Sequence, residues 1–479
     1  MTSSVEDLRE SPVRVRNPYP ILALACAAMF ITVVDLTVVN VSLPHMAIDL
    51  RLGQATLQWV VIAYAVPFGG LLLPAGRFGD VWGRRPVLLT GLAVFTAASL
   101  SAGLAGTSAV LIGSRAVQGI GAALIAPSAL AVVADVFPAG KTREAALGIY
   151  GAIGGAAASV GVLAGGLLTD GPGWPWIFYV NVPICTVLLV AVVILLPART
   201  AAAAGSRVDV RSAAAVTGGL AAGIYALDRG VVDGWTSLSA LGPAVLAVAL
   251  LATFVAVERN TTGPLMPVSL RRNRAAVLAD LVALAGFGSF YGFIFLTTLL
   301  MQQQLGYSPT RTGLAWLITS LTAFVVAGLT GALLARVVGG RVLMLVASGL
   351  MVAAATVLLG SPAHPSFLTW VLPALVCAGI AVGLIAPSIQ ITALDSVGER
   401  DFGTASGLLE TAREFGGSTI IALVSTVMVS GGRSATDGMH SAFGVIAAAA
   451  AFSVVVGAFG LRAIGSGRAV PEVPVPVTA

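Results

Sequence analysis

Four ionisable groups lie inside long apolar stretches of the 479-residue chain, where a charge costs several kcal/mol unless it is paired or protonated. Asp35 stands past the midpoint of the first stretch. A carboxyl there keeps its charge only with partners and otherwise takes up a proton. It offers reversible protonation, the alternative being a structural carboxylate tied to polar neighbours. Arg115, in the fourth stretch, cannot lose its proton, so it either stabilises a nearby carboxylate or water or snorkels toward the outer end. Glu410, Arg413 and Glu414 are spaced i, i+3 and i+4 and share one helix face. One carboxylate can neutralise the arginine, leaving the other as a second protonatable site; an ion cluster near the helix end is the structural alternative. Asp280 is expected at the membrane interface.

Trp59, Tyr64, Phe287, Phe290, Tyr291, Trp316 and Gln390 are types that either line an amphipathic cavity for bulky organic ligands or serve as packing and interface anchors. No phosphate-cradling loop, metal cluster or nucleophile constellation is present. Cys26, Cys185 and Cys377 each sit in an apolar run without ligand spacing. The expectation is no metal, no cofactor, no ATP and no enzymatic activity.

The elements that position these groups follow from composition. Hydrophobic residues make up 57% and charged residues 10%, against about 25% charged in soluble domains, and mean hydropathy is +0.96. No soluble core hides that much apolar surface, so the solvent is a bilayer and the fold class is all-α and polytopic. The basic residues are scattered singly, which excludes a nucleic-acid surface despite the net charge of +5. Stretches of the roughly 20 residues needed to span fall at about 20–41, 56–75, 87–106, 109–134, 146–168 and 176–196. Two more fall at 212–227 and 239–257, and six at 276–301, 313–335, 342–359, 366–390, 404–430 and 441–464. The first is too long for a signal-peptide core, so fourteen spans are expected. Twenty of the 26 basic residues then fall on the side of the N-terminus and four (Arg51, Arg229, Arg311, Arg433) on the other, with Arg115 and Arg413 within spans. Both termini are therefore predicted cytoplasmic.

The chain also repeats itself. Leu124-Ile-Ala-Pro-Ser128 recurs as Leu384-Ile-Ala-Pro-Ser388, with Gly119 and Asp135 matching Gly379 and Asp395 at the same offset, and Gly83 and Arg85 match Gly339 and Arg341. Duplicated halves with two spans between them are the economical reading.

The loop after the second span reads Gly76-Arg-Phe-Gly-Asp80-Val-Trp-Gly83-Arg84-Arg85-Pro86 and resembles the signature loop of the major facilitator superfamily. Its glycines permit a tight turn and close helix approach, while Asp80, Arg84 and Arg85 can contact neighbouring helix ends and latch one conformation. Asp35-Leu-Thr-Val-Val-Asn40, Arg115-Ala-Val-Gln118-Gly119, Trp174-Pro-Trp176-Ile-Phe178-Tyr-Val-Asn181 and Gln303-Gln304 with Gly306-Tyr307-Ser308 resemble the fourteen-span drug:proton antiporters over nearly the whole chain. The resemblance implies two six-helix bundles plus two extra central helices, a coupling role for Arg115, and a cavity that includes Asn40 and Gln118. The antiporter motif of span five is matched by Gly161, Gly165 and Gly166, but Val162 stands where proline is expected, which weakens the inference of export over import.

The expected organisation is a tail at 1–19, bundles at 20–196 and 276–464, an inserted segment at 197–275 and a tail at 465–479. The expected protein is a monomeric antiporter in the plasma membrane. It exchanges protons for lipophilic or cationic drugs, the rival being a proton-coupled transporter of one endogenous metabolite.

Overall fold

In a bilayer every backbone N–H and C=O needs an internal partner, so the apolar runs have to close into helices. A computed structural model describes residues 17–52, 54–138, 140–197, 209–261, 264–334, 337–363, 365–430 and 435–460, and among them no strand occurs. Most of the N-terminal tail, the whole of 465–479, and Arg9, Arg14, Arg16, Arg199, Arg207, Arg336, Arg433, Arg462 and Arg468 of the orientation argument lie outside the described residues.

The long helices in chain order are α1 (Tyr19–Asp49), α2 (Gln54–Trp82), α3 (Arg84–Gly103), α4 (Ser108–Val136), α5 (Lys141–Asp170), α6 (Asn181–Leu195), α7 (Val210–Asp233) and α8 (Leu238–Asn260), followed by α9 (Arg274–Leu299), α10 (Pro309–Leu329), α11 (Gly340–Leu359), α12 (Leu372–Asp395), α13 (Phe402–Ser430) and α14 (Ala435–Val455). A short turn, Trp176–Tyr179, leads into α6. Capping follows sequence: Thr107, Asp209, Asn273 and Ser308 accept hydrogen bonds from the first-turn amides of α4, α7, α9 and α10.

Twelve described helices are long and apolar enough to cross a membrane. The fourteen expected spans are matched as long helices, but α5 and α13 are not among those twelve. Both are long, at 30 and 29 residues, and the charges of Glu410, Arg413 and Glu414 dilute the apolar run of α13.

The sequence repeat is visible in the backbone. Gly83 and Gly339 start α3 and α11 with nearly the same geometry, φ 93°, ψ 145° and φ 84°, ψ 141°, a region that favours glycine. Arg85 Nη2 donates to the Val193 carbonyl in the last turn of α6 at 2.9 Å, and Arg341 Nη2 donates to the Ala458 carbonyl just beyond α14 at 2.6 Å. Each set of six helices is thus tied from the start of its third helix to the end of its sixth. Across the sets, α2 packs on α13 and α5 on α10 and α12, while α7 lies against its partner α8 and against both α2 and α13.

Candidate functional site

The Asp35 carboxylate is enclosed by four helices. Arg115 Nη1 on α4 donates to Asp35 Oδ2 at 2.5 Å and to Gln118 Oε1 at 2.6 Å. Gln118 Nε2 donates to Asp35 Oδ1 at 2.7 Å and to Ser99 Oγ on α3 at 2.9 Å, and Asn181 Nδ2 at the start of α6 donates to Asp35 Oδ1 at 2.9 Å. Arg115 spends Nε on the Val60 carbonyl at 3.2 Å and lies over the Tyr64 ring, 4.3 Å from its centroid. Asp35, Arg115, Gln118 and Asn181 are buried, so this is a dry ion pair with its hydrogen bonds completed, the form in which such a pair is tolerated.

The acidic face of α13 is built differently. Arg413 Nη1 donates to both Glu410 oxygens at 2.8 and 3.0 Å and Nη2 to the Tyr291 hydroxyl at 3.2 Å, with the Phe287 ring 4.4 Å away. Glu410 therefore neutralises the arginine, and Glu414 has neither hydrogen bond nor ion pair among the described residues. Tyr64 is buried and lies under the Arg115 guanidinium, with the Phe68 ring 5.6 Å from its own.

At the end of the molecule that carries the signature loop, the two sets of helices are locked together. Asp80 Oδ1 accepts from the Gly403 amide at 2.8 Å and Oδ2 from the Thr404 amide and hydroxyl at 2.7 and 2.6 Å. A carboxylate from α2 thus caps the N-terminus of α13, where the helix dipole favours negative charge. Arg84 holds Asp80 at 2.6 Å and Asp135 at 2.5 Å, and donates to the Glu399 carbonyl at 3.1 Å. Arg143 reaches Asp395 at 3.4 Å. Beneath this, α2 and α13 touch backbone to backbone: a Cβ on Gly76 would lie 2.1 Å from the Gly403 carbonyl oxygen.

At the opposite end the sets part around a cavity of about 290 Å³ lined by Val41, Leu163, Gly166 and Asp170 from one and Thr310 and Gly313 from the other. The helix α5 has no internal proline, and its Gly161 and Gly165 press on α1 at Val34, Thr37 and Val38, one turn from Asp35.

The structure brings together Asp35, Arg115, Gln118 and Tyr64, and separately Glu410, Arg413, Tyr291 and Phe287. Some expectations are corrected. Gln118 belongs to the Asp35 network and is wholly buried rather than set in a cavity wall. Arg85 does not join the latch, because it is spent on the Val193 carbonyl. Gly166 opens onto the far cavity instead of packing. Trp59 is exposed and rests against Tyr225 of α7, and Phe290 lines a small void inside the last six helices with Ala347 and Ile385. Gln390 is buried with Oε1 unpartnered, and the side chains of Asn40 and Val162 lie outside the described residues. Asn181 and Ser99 are site residues that the sequence does not single out, although Asn181 stands in one of the motifs. Asp135 and Asp395 stand out in the sequence only as repeats.

Residues 25–421 match the family model described as Major Facilitator Superfamily. The chain is 37% identical to the puromycin resistance protein pur8 of Streptomyces alboniger over 85% of its own length and 81% of that protein. It is also 37% identical to the cephamycin export protein CmcT of Amycolatopsis lactamdurans, over 86% and 85%. The fold is similar to the human organic anion transporter MFSD10, with TM-score 0.65 and 17% identity over 91% of this chain and 99% of that one.

Proposed function

The chain belongs to the major facilitator superfamily and is a multi-pass membrane transporter, and from that premise we propose that it exports small lipophilic or cationic drugs or antibiotics in exchange for protons by alternating access. The observation that carries the reading is the asymmetry of the acids within the helices: buried Asp35 is locked to Arg115, while half-buried Glu414 has neither hydrogen bond nor ion pair among the described residues in the same conformation. Protonation of Asp35 and its pairing with Arg115 exclude one another, so proton arrival frees the arginine, and the ring of Tyr64 beneath it offers a resting place for the cation. Release of Arg115 next to Gln118, Asn181 and Ser99 loosens α1 against α3, α4 and α6, and with it the seat of α5 on α1.

In this reading fourteen helices span the plasma membrane with both termini cytoplasmic. The bundles at 20–196 and 276–464 rock about the centre, 197–275 is inserted between them, and the latch end is cytoplasmic and closed. A membrane potential of 100 mV supplies about 2.3 kcal/mol per charge, enough for a roughly fiftyfold gradient of a neutral molecule per proton. Relatives named for puromycin resistance and cephamycin export support outward transport of antibiotics, and they also support the narrower reading of a single endogenous metabolite as cargo. The deciding experiment is substrate-induced proton flux in reconstituted vesicles across lipophilic cations and antibiotics, with wild type beside Asp35→Asn. Flux that disappears in the variant supports antiport through Asp35, flux unchanged in the variant sinks that role, and flux for one compound alone selects the narrow reading.

A further inference from the structure

We infer that Asn181 is a positioning residue for proton exchange: with Gln118 it holds Asp35 Oδ1 as a fixed acceptor, so that a proton and the Arg115 guanidinium exchange at Oδ2 alone. This rests on the reading of Asp35 as the proton carrier and names the atom at which the exchange takes place.

The two carboxylate oxygens are dressed unequally. Oδ1 accepts from Gln118 Nε2 at 2.7 Å and from Asn181 Nδ2 at 2.9 Å, whereas Oδ2 accepts from Arg115 Nη1 at 2.5 Å. Both amides are fixed in orientation. Gln118 Oε1 accepts from the same Arg115 Nη1 at 2.6 Å and its Nε2 also donates to Ser99 Oγ at 2.9 Å. Turned over, either amide would set an oxygen against the carboxylate, and Gln118 would also set an N–H against the guanidinium. A proton arriving on Oδ1 meets two N–H groups that cannot accept it. A proton arriving on Oδ2 forms the O–H bond there as the Nη1–H···Oδ2 contact breaks, and Oδ1, now the carbonyl oxygen of a neutral acid, goes on accepting from both amides. Hydrogen bonds to an anion are the stronger kind, so each amide favours the charged form over the protonated one.

The segment before Asn181 sets its place. Tyr179 Oη donates to the Gly103 carbonyl at 2.7 Å, and a Cβ on Gly103 would collide with that ring. Trp174 Nε1 donates to Asp49 Oδ2 at 2.8 Å. The turn is thus fastened to the ends of α3 and α1. From there it puts one residue on each member of the ion pair: Phe178, its ring centroid 5.8 Å from the Arg115 guanidinium, and Asn181, the first residue of α6, on Asp35. The other titratable groups near Asp35 on the helices packed against α1 are the Tyr64 phenol under Arg115 and the buried Cys185 thiol, one turn beyond Asn181. The helix α5 meets α1 there through Gly154 and Gly161, which carry no charge.

The test follows the Asp35 carboxyl of the purified full-length protein by infrared difference spectroscopy through a pH titration, with its protonated C=O band assigned by loss in Asp35→Asn. In the wild type the band is expected at the low frequency of a doubly hydrogen-bonded carbonyl. A band at the frequency of a free carbonyl overturns the inference without any variant. Asn181→Leu, and Asn181→Ala as the variant that needs no extra room, each remove one donor to Oδ1. The band is then expected at higher frequency, because the carbonyl has lost a hydrogen bond, and the protonation midpoint about one pH unit higher. A structural role alone would lower the melting temperature and leave the frequency where it was, so an unchanged frequency in both variants overturns the positioning role while Asp35 remains the carrier. Absence from the wild type of any band that Asp35→Asn removes sinks the carrier reading, and the inference with it.

Discussion

The two buried acid clusters are built from the same residue types and come out opposite in completeness. Around Asp35 one guanidinium and two side-chain amides, those of Gln118 and Asn181, donate to a single carboxylate, and Gln118 donates in turn to Ser99 Oγ. Around Arg413 two carboxylates compete for one guanidinium. Glu410 wins both of its short contacts, while Glu414 and Arg413 Nε are left over. In this conformation the Asp35 network is filled while the α13 cluster keeps a carboxylate and a guanidinium Nε without hydrogen-bond partners among the described residues, and a partly satisfied polar network rearranges at less cost than a complete one.

The sharpest test of that division is stability. Asp35→Ala strands the buried Arg115 guanidinium and is expected to cost about 3–5 kcal/mol, whereas Glu414→Gln strands nothing and is expected to cost under about 1 kcal/mol. Equal losses in a thermal melt of the purified protein would abolish the contrast. Next in size is Gly76→Ala: its methyl meets the Gly403 carbonyl and forces α2 and α13 apart at a cost of about 1–3 kcal/mol. The expected reading is a longer latch-end distance between spin labels on the two helices, with the Asp35 network intact. Asp80→Asn keeps the shape but weakens the cap on α13, by about 1 kcal/mol, and a roughly fivefold larger open fraction should appear in the same distance distributions.

The smallest effect is expected at an acid outside the membrane. The Thr261 hydroxyl and then the Arg211 amide hold the Asp209 carboxyl below its usual value. A group so depressed stabilises the fold above its unfolded value of about 3.9 and loses that contribution as pH falls through its folded value. Asp209→Ala should therefore lower the melting temperature slightly at neutral pH and not at all in strong acid. An equal deficit at both would show that only the cap geometry matters.

The pieces legible in the sequence are those whose cost announces them. A carboxylate or guanidinium in an apolar run stands out at once, and the i, i+3, i+4 spacing of Glu410, Arg413 and Glu414 is enough to place them on one face. Asn181 and Ser99 cost little when buried with a partner, so nothing in their surroundings marks them out. The latch partners of Asp80 are the Gly403 and Thr404 amides, and every non-proline residue carries such a group. Arg84 and Arg85 are identical in type and adjacent, yet roughly 100° of helical rotation sends one to the latch and the other to its own bundle. The aromatic residues carry no direction in their spacing, which is why Trp59, expected in the cavity, is found against α7.

The tether of Arg85 and its repeat Arg341 survives in both halves, but the grips between halves are unequal. At the same offset Asp80 and Arg84 correspond to Arg336 and Gly340, so the second copy lacks the acid that caps the opposing helix, and the other polar crossings at that end are Arg84 to the Glu399 carbonyl at 3.1 Å, Arg143 to Asp395 at 3.4 Å and Arg77 to Asp401 at 3.9 Å. Three hydrogen bonds from the start of α13 end on the one Asp80 carboxylate, so the polar grip between the halves is concentrated on a single residue of the first copy instead of being shared by the repeat.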